Sequence, residues 1–248
     1  MGPSISKDSI VVLYKGGRLP SWERLTKEEQ RAASEEHVEL MLSVAHKHGM
    51  MRLEGFKLMS PQKSWQRFWQ IEFPALDGAE EWIAAEIAPP YGRYGFYEYQ
   101  LARRLGIDYY ASWVTNPAKP VAKLPPPDPR NIPPLKADTD SFVTVVFERN
   151  IHEYDLTSPQ QRGDASREAA LRKVAKDHGL TRLEVFQLID VQEDWRRVWI
   201  AELPTIEGAM AWADAEAQPH HNGYTIRTVH ITQKWAQAYC ASWVPGGR

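Results

Sequence analysis

The segment AHKHGMMRLEGFKLM at 45–59 returns as AKDHGLTRLEVFQLI at 175–189, and the match runs on at a constant shift of 130 until ASWV at 111–114 meets ASWV at 241–244. About 26 of those 70 paired positions are identical, so the chain is a tandem duplication, and any fold assigned to one copy must also serve the other. Between the copies lies TNPAKPVAKLPPPDPRNIPPLKADT, which holds eight of the eighteen prolines. Proline lacks an amide hydrogen and fixes φ, so this stretch predicts an extended connection rather than a helix or inner strand. The expected division is a first repeat over 1–114, a linker over 115–139 and a second repeat over 140–248.

Within each copy, period and punctuation give the order of elements. DSIVVLY and DSFVTVVF are short β-branched runs and predict opening strands, with Gly16-Gly17 after the first as a turn signal. Thr26 with Glu29, and Ser158-Pro159 with Gln161, are capping-box patterns that start a helix in each copy; His48-Gly49 and His178-Gly179 end it. RLEGFKL and SWQRFWQIEF predict a hairpin. If its loop centres on Gln62, facing residues sum to 124, which sets Arg52 opposite Glu72, Leu53 opposite Ile71 and Phe56 opposite Phe68, with Arg182 opposite Glu202 in the second copy. A second helix over 77–88 stops at Pro89-Pro90, and YGFYEYQLAR, matched by YTIRTVHITQ, makes a fourth strand.

The order β-α-β-β-α-β is the ferredoxin-like plait, so the expected class is α+β, as two tandem ferredoxin-like repeats. A lone plait covers one sheet face with helices, and two copies would pair their open faces as a pseudo-two-fold α/β barrel. In this the chain resembles the dimeric α/β-barrel superfamily in a tandem, single-chain form. The resemblance rests on topology over both halves. It implies a small-molecule protein related to polyketide cyclases, cofactor-free monooxygenases, muconolactone isomerases and EthD-like proteins, or to the heme-binding chlorite dismutases and coproheme decarboxylases.

Histidines distinguish the copies. The second alone has His220 and His221, where the first has Pro90 and Tyr91, and it alone has His230, opposite Gln100 of the first. Pro219-x-His221 resembles the Pro-x-His turn of cyclase-like members, whose histidine is implied to act as acid or base. Histidine titrates near neutrality and suits that role. His48 and His178 occur in both copies at helix ends, where a cation suits the dipole. His37 and His152 have no partner legible in the sequence. Along the hairpin, Arg67 lies between Trp65 and Trp69, and Arg197 between Trp195 and Trp199. Such an arginine can hold a carboxylate or stack on an aromatic ligand, and it can equally pack in the core with its guanidinium reaching solvent.

Composition narrows the function classes. Thirty basic and thirty-two acidic residues give a net charge of −2, which offers no electrostatic footprint for nucleic acid. Cys240 is the sole cysteine, so no internal disulfide forms, and no apolar run reaches the roughly 18 residues of a membrane span. With no secretory leader pattern, the expectation is a cytoplasmic protein without nucleic-acid or membrane partners, compatible with homo-oligomerisation. No zinc-ligand spacing, phosphate-binding glycine loop or dinucleotide fingerprint occurs, so no metal site is expected.

The favoured reading is a cofactor-independent enzyme acting by proton transfer, of isomerase, cyclase or lyase type, on a small apolar or aromatic substrate. In it His221 is the acid/base, His220 and His230 are secondary, Tyr91 is the weaker counterpart, and the arginines and tryptophans bind substrate. One alternative is a heme protein of the chlorite dismutase type, in which one of the second-copy histidines ligates iron. The other is a non-catalytic ligand-binding or stress-response module.

Overall fold

The computed structural model describes residues 7–60, 65–117, 128–189, 195–218 and 223–245. In chain order its first elements are β1 (Ile10–Arg18), α1 (Lys27–Lys47), β2 (Arg52–Leu58), β3 (Arg67–Phe73), α2 (Leu76–Ile87), β4 (Gly95–Arg104) and α3 (Ile107–Ala111). They are followed by β5 (Phe142–Asn150), α4 (Pro159–Arg162), α5 (Asp164–His178), β6 (Arg182–Leu188), β7 (Arg197–Leu203), α6 (Ile206–Glu216), β8 (Thr225–Trp235) and α7 (Gln237–Ser242).

Two compact units form. The first comprises Met1–Arg103, Val121–Ala137 and Trp235–Arg248; the second comprises Arg104–Pro120 and Asp138–Lys234. This division departs from the repeat boundaries, because α3 packs on β6 and α7 on β2. Backbone hydrogen bonds fix both segments, from Leu105 N to Val185 O at 2.8 Å and from Ala236 N to Lys136 O at 2.9 Å. The proline-rich stretch is described at 115–117 and from 128 onward, and there it runs without helix or regular strand.

In the first unit β4, β1, β3 and β2 lie side by side, all antiparallel. In the second the order is β8, β5, β7, β6, again antiparallel. The hairpin register is the one the sum rule gives, with Arg52 facing Glu72, Phe56 facing Phe68 and Arg182 facing Glu202. The charges do not form isolated pairs. Arg52 bonds Glu54 at 2.9 Å, and Glu202, 3.9 Å from Arg182, is also held by Lys234 at 2.6 Å. The loop residues 61–64 lie outside the described part.

Both capping boxes form, at Thr26 with Glu29 and at Ser158 with Gln161, and Gly49 and Gly179 take positive φ beyond the helix ends. The first helix of the second copy is nevertheless broken. Gly163 adopts φ 71 and splits α4 from α5. The cause is a local change of shift: β1 and β5 hold equivalent registers 132 residues apart, since Ile10 faces Phe73 and Phe142 faces Leu203, whereas β3 and β7 are 130 apart. Two residues are therefore missing before α5.

Cores form between helices and sheet in each unit. Val38, Met41 and Leu42 of α1 and Trp82 of α2 pack against Val12, Tyr14, Leu53 and Ile71. Leu171, Ala175 and Trp212 pack against Val146, Leu183 and Trp199. Each large apolar side chain so buried contributes about 1.5–3 kcal/mol.

Candidate functional site

One face of the first unit's sheet is built to leave space. Strand alternation puts Tyr14, Gly16 and Arg18 of β1 on the same face as Arg67 and Trp69 of β3, Tyr97 and Tyr99 of β4, and Gly55 of β2. A side chain at Gly16 would meet the Tyr97 ring at 2.1 Å, and one at Gly55 would meet the Trp69 ring at 2.6 Å, so the glycines let both rings lie against the strands. Gly16-Gly17 is thus strand, not turn. Trp69 stacks on Tyr14 with centroids 6.0 Å apart and meets Trp235 edge-on at 5.3 Å. The result is a cavity of about 300 Å³, at the lower end of small-molecule pockets, walled by aromatic side chains with Arg18, Arg67, His37 and Glu86 among the polar ones.

Helices α1 and α2 supply its polar roof. Ser34, His37, Val38 and Met41 fall on one side of α1 by their spacing, and Trp82 and Glu86 share a side of α2. The buried Glu86 carboxylate accepts a hydrogen bond from Tyr14 Oη at 2.8 Å and lies 3.4 Å from His37 Nε2. Burial first, then the Glu86 charge, drives the Tyr14 phenol well above its ordinary pKa, so it stays a donor. The His37 ring stacks on Tyr91 at 3.8 Å and 9°, and its buried Nδ1 has no hydrogen-bond partner among the described residues.

Two cations complete the lining. The Arg18 guanidinium lies over Trp22 at 4.2 Å and Tyr91 at 3.9 Å and donates a short hydrogen bond to the Tyr91 hydroxyl. The Arg67 guanidinium lies over Trp235 at 4.1 Å. Burial lowers the pKa of both, and Arg67 is lowered further by the Arg18 charge. Among the described residues neither forms an ion pair with a carboxylate.

The second unit fills the equivalent positions with paired charge. At the register position of Gly16 stands Glu148, facing Arg197 on β7 and Arg227 on β8, as Gly16 faces Arg67 and Tyr97. At the position of His37 stands Arg167, which grips Glu216 through Nε at 2.9 Å and Nη2 at 2.7 Å. Arg227 reaches Glu148 at 3.0 Å and Glu216 at 3.5 Å, and Arg197 reaches Glu148 at 3.4 Å. Burial would raise the Glu148 pKa, but Arg167, Arg227 and Arg197 together hold it below the usual carboxylate value.

This arrangement redistributes the residues singled out in the sequence. Arg67, Trp69 and Tyr91 come together at the first-unit cavity. Trp65 is buried without lining it. Trp199 is core, edge-on to Tyr110 at 5.1 Å and covered by Arg167 at 4.6 Å, while Arg197 is committed to Glu148. His230 pairs with Val145 in register and touches Phe147 at 6.1 Å, on the sheet face opposite Arg197 and Trp199. Trp195, which precedes β7, also packs on Phe147, at 5.6 Å. His220 and His221 lie outside the described residues. The cavity described here belongs to the first unit. His37, Glu86 and Arg18 were missed in the sequence. The detectable signal was the shift of 130 over 45–114, which aligns Glu86 with Glu216; only its extension back into the preceding helix sets His37 against Arg167.

No family model matches the chain, and no curated protein matches it in sequence. Solved structures do. A point variant of chlorite dismutase from Candidatus Nitrospira defluvii in complex with cyanide superposes with a TM-score of 0.65 at 10% identity, covering 95% of this chain and 94% of that one. The chlorite dismutase from the same organism in complex with imidazole gives 0.63 at 10% identity, covering 96% and 95%.

The chain shares the chlorite dismutase fold. That finding corrects two expectations, the cofactor-independent proton-transfer enzyme and the absence of a cofactor, since the whole-chain likeness falls on the branch of the resemblance associated with heme. No helix among the described residues is long and apolar enough to cross a membrane.

Proposed function

We propose that the chain is a heme-binding protein whose site is the first-unit cavity, and that its units are tandem copies of one ferredoxin-like repeat, the first of which holds this ligand space. A heme asks a protein for an axial donor, apolar walls and cations for its carboxylates. His37 carries the reading. With the Nε2 proton directed to Glu86, the buried Nδ1 is left with a lone pair and no hydrogen-bond partner among the described residues. A carboxylate behind an imidazole fixes the tautomer and raises its basicity as a metal ligand, and Tyr14 holds that carboxylate in turn. Trp69, Tyr97 and Trp235 would cover the faces of the group and exclude water, with Arg18 and Arg67 for its acid edge.

When bound, heme supplies an iron that takes small ligands and changes oxidation state. Cyanide and imidazole, recorded with the structural neighbours, are both ligands of such an iron. In the second unit the same positions hold Arg167 and Glu148 in ion pairs, which supports placing the site in the first. The test is a hemin titration followed by absorption and electron paramagnetic resonance spectra. A saturable, shifted Soret band that changes ligation signature in His37→Ala is expected. A spectrum identical to free hemin, or an unchanged one in His37→Ala, overturns the reading.

A further inference from the structure

The second unit shows what the first lacks. Its strand-face arginine, Arg197, faces Glu148 across β5 and β7 and is neutralised by it at 3.4 Å. The equivalent arginine of the first unit, Arg67, faces Gly16. The carboxylate is absent from the position where its twin keeps one, and a second guanidinium, Arg18, lines the same cavity with its buried Nη1 unpartnered among the described residues. Glu86 is already held by Tyr14 and His37, and the remaining acid of the lining is Glu23.

We infer that Arg18 and Arg67 form a carboxylate-binding subsite that selects flat aromatic acids, the ligand's carboxylate taking the place that Glu148 takes in the second unit. Rings flank both cations: Trp22 and Tyr91 stack on Arg18, and Trp235 on Arg67. These contacts hold the guanidinium planes in fixed orientations, which suits bidentate recognition of a planar anion. Burial disfavours the charge of both groups, and the Arg18 charge further disfavours that of Arg67, so an anion bound between them offsets that cost. The inference rests on the proposed heme reading for the macrocycle and assigns its acid edge, but the subsite itself requires no iron.

The test uses 2-naphthoate and its methyl ester as probes on the full chain, followed by tryptophan fluorescence and saturation-transfer NMR. The acid should bind at least about tenfold more tightly than the ester, the size expected of a charge-assisted hydrogen bond. Arg18→Gln and Arg67→Gln should each remove most of that preference, weakening the acid at least about tenfold more than the ester, with circular dichroism confirming the fold. Equal affinity of wild type for acid and ester, no binding of the acid, or variants that weaken both probes alike would overturn the subsite. The wild-type comparison decides even if a variant fails to fold. Ester discrimination without axial ligation of hemin keeps the subsite and removes the heme reading; axial ligation without discrimination does the reverse.

Discussion

His37 and Arg167 occupy one helical position in the two copies, and each faces the same glutamate of the following helix: Glu86 lies 3.4 Å from His37, and Glu216 lies 2.7 Å from Arg167. One substitution at this position converts a titratable donor with a spare nitrogen into a saturated ion pair. That difference, with Glu148 standing where the first unit has Gly16, sets the first predictions.

Glu148→Gln should destabilise the second unit by about 3 kcal/mol at neutral pH, because it leaves buried guanidiniums short of their counter-charge. The Glu148 carboxyl titrates below its ordinary value of 4.5 in the folded chain. A group of that kind contributes stability above its unfolded pKa and loses it as pH falls through the folded one. Urea denaturation curves of wild type and variant should therefore differ at pH 7 and converge only as the pH falls through the depressed pKa of the folded carboxyl, below 4.5. Parallel curves at every pH would contradict the ion network.

Gly16→Ala should cost about 1–3 kcal/mol, since its Cβ would sit 2.1 Å from the Tyr97 ring and 2.3 Å from the Phe96 carbonyl. Gly17→Ala, whose nearest contact is 3.4 Å, should leave the melting temperature close to wild type. Thermal melts of the two variants side by side test the strand assignment of this pair.

Tyr14→Phe removes the 2.8 Å donor to the buried Glu86 and should cost about 1–3 kcal/mol, measured by chemical denaturation. A neutral result would mean that another group takes over the carboxylate.

Cys240 is buried, and burial pushes its thiol up to about 12. At pH 8 the thiolate fraction is on the order of one in ten thousand, so alkylation by iodoacetamide should be far slower than for a free thiol and should accelerate when denaturant opens the first unit. Labelling at the rate of glutathione in native buffer would contradict this environment.

Local chemistry made much of this legible. The sum of 124 fixes the hairpin register because side chains alternate with period two, and both capping boxes form as their spacing implies. Gly16 escaped because a glycine that admits a neighbouring ring reads in sequence like one that turns the chain. The break at Gly163 escaped because the constant shift begins only after it. His37 looked solitary because its partner, Glu86, lies 49 positions away on another helix. The second-copy histidines stand out through their absence from the first copy, whereas the positions that line the cavity differ in a less visible way: Gly16 and His37 in the first unit stand where the second has Glu148 and Arg167, charges that neutralise each other.

That closed set of charges around Glu148 has a thermodynamic consequence for the chain as a whole. A single-copy protein must reconcile a rigid core with an unsatisfied, ligand-ready one in the same place. On the proposed reading of the units as tandem copies the two demands part company, with the second unit free to accumulate stability and the first free to spend it. The unequal distribution should be visible without any ligand: amide protons of β5 and β7 should outlast those of β1 and β3 in hydrogen exchange, although the four strands pair in matching registers.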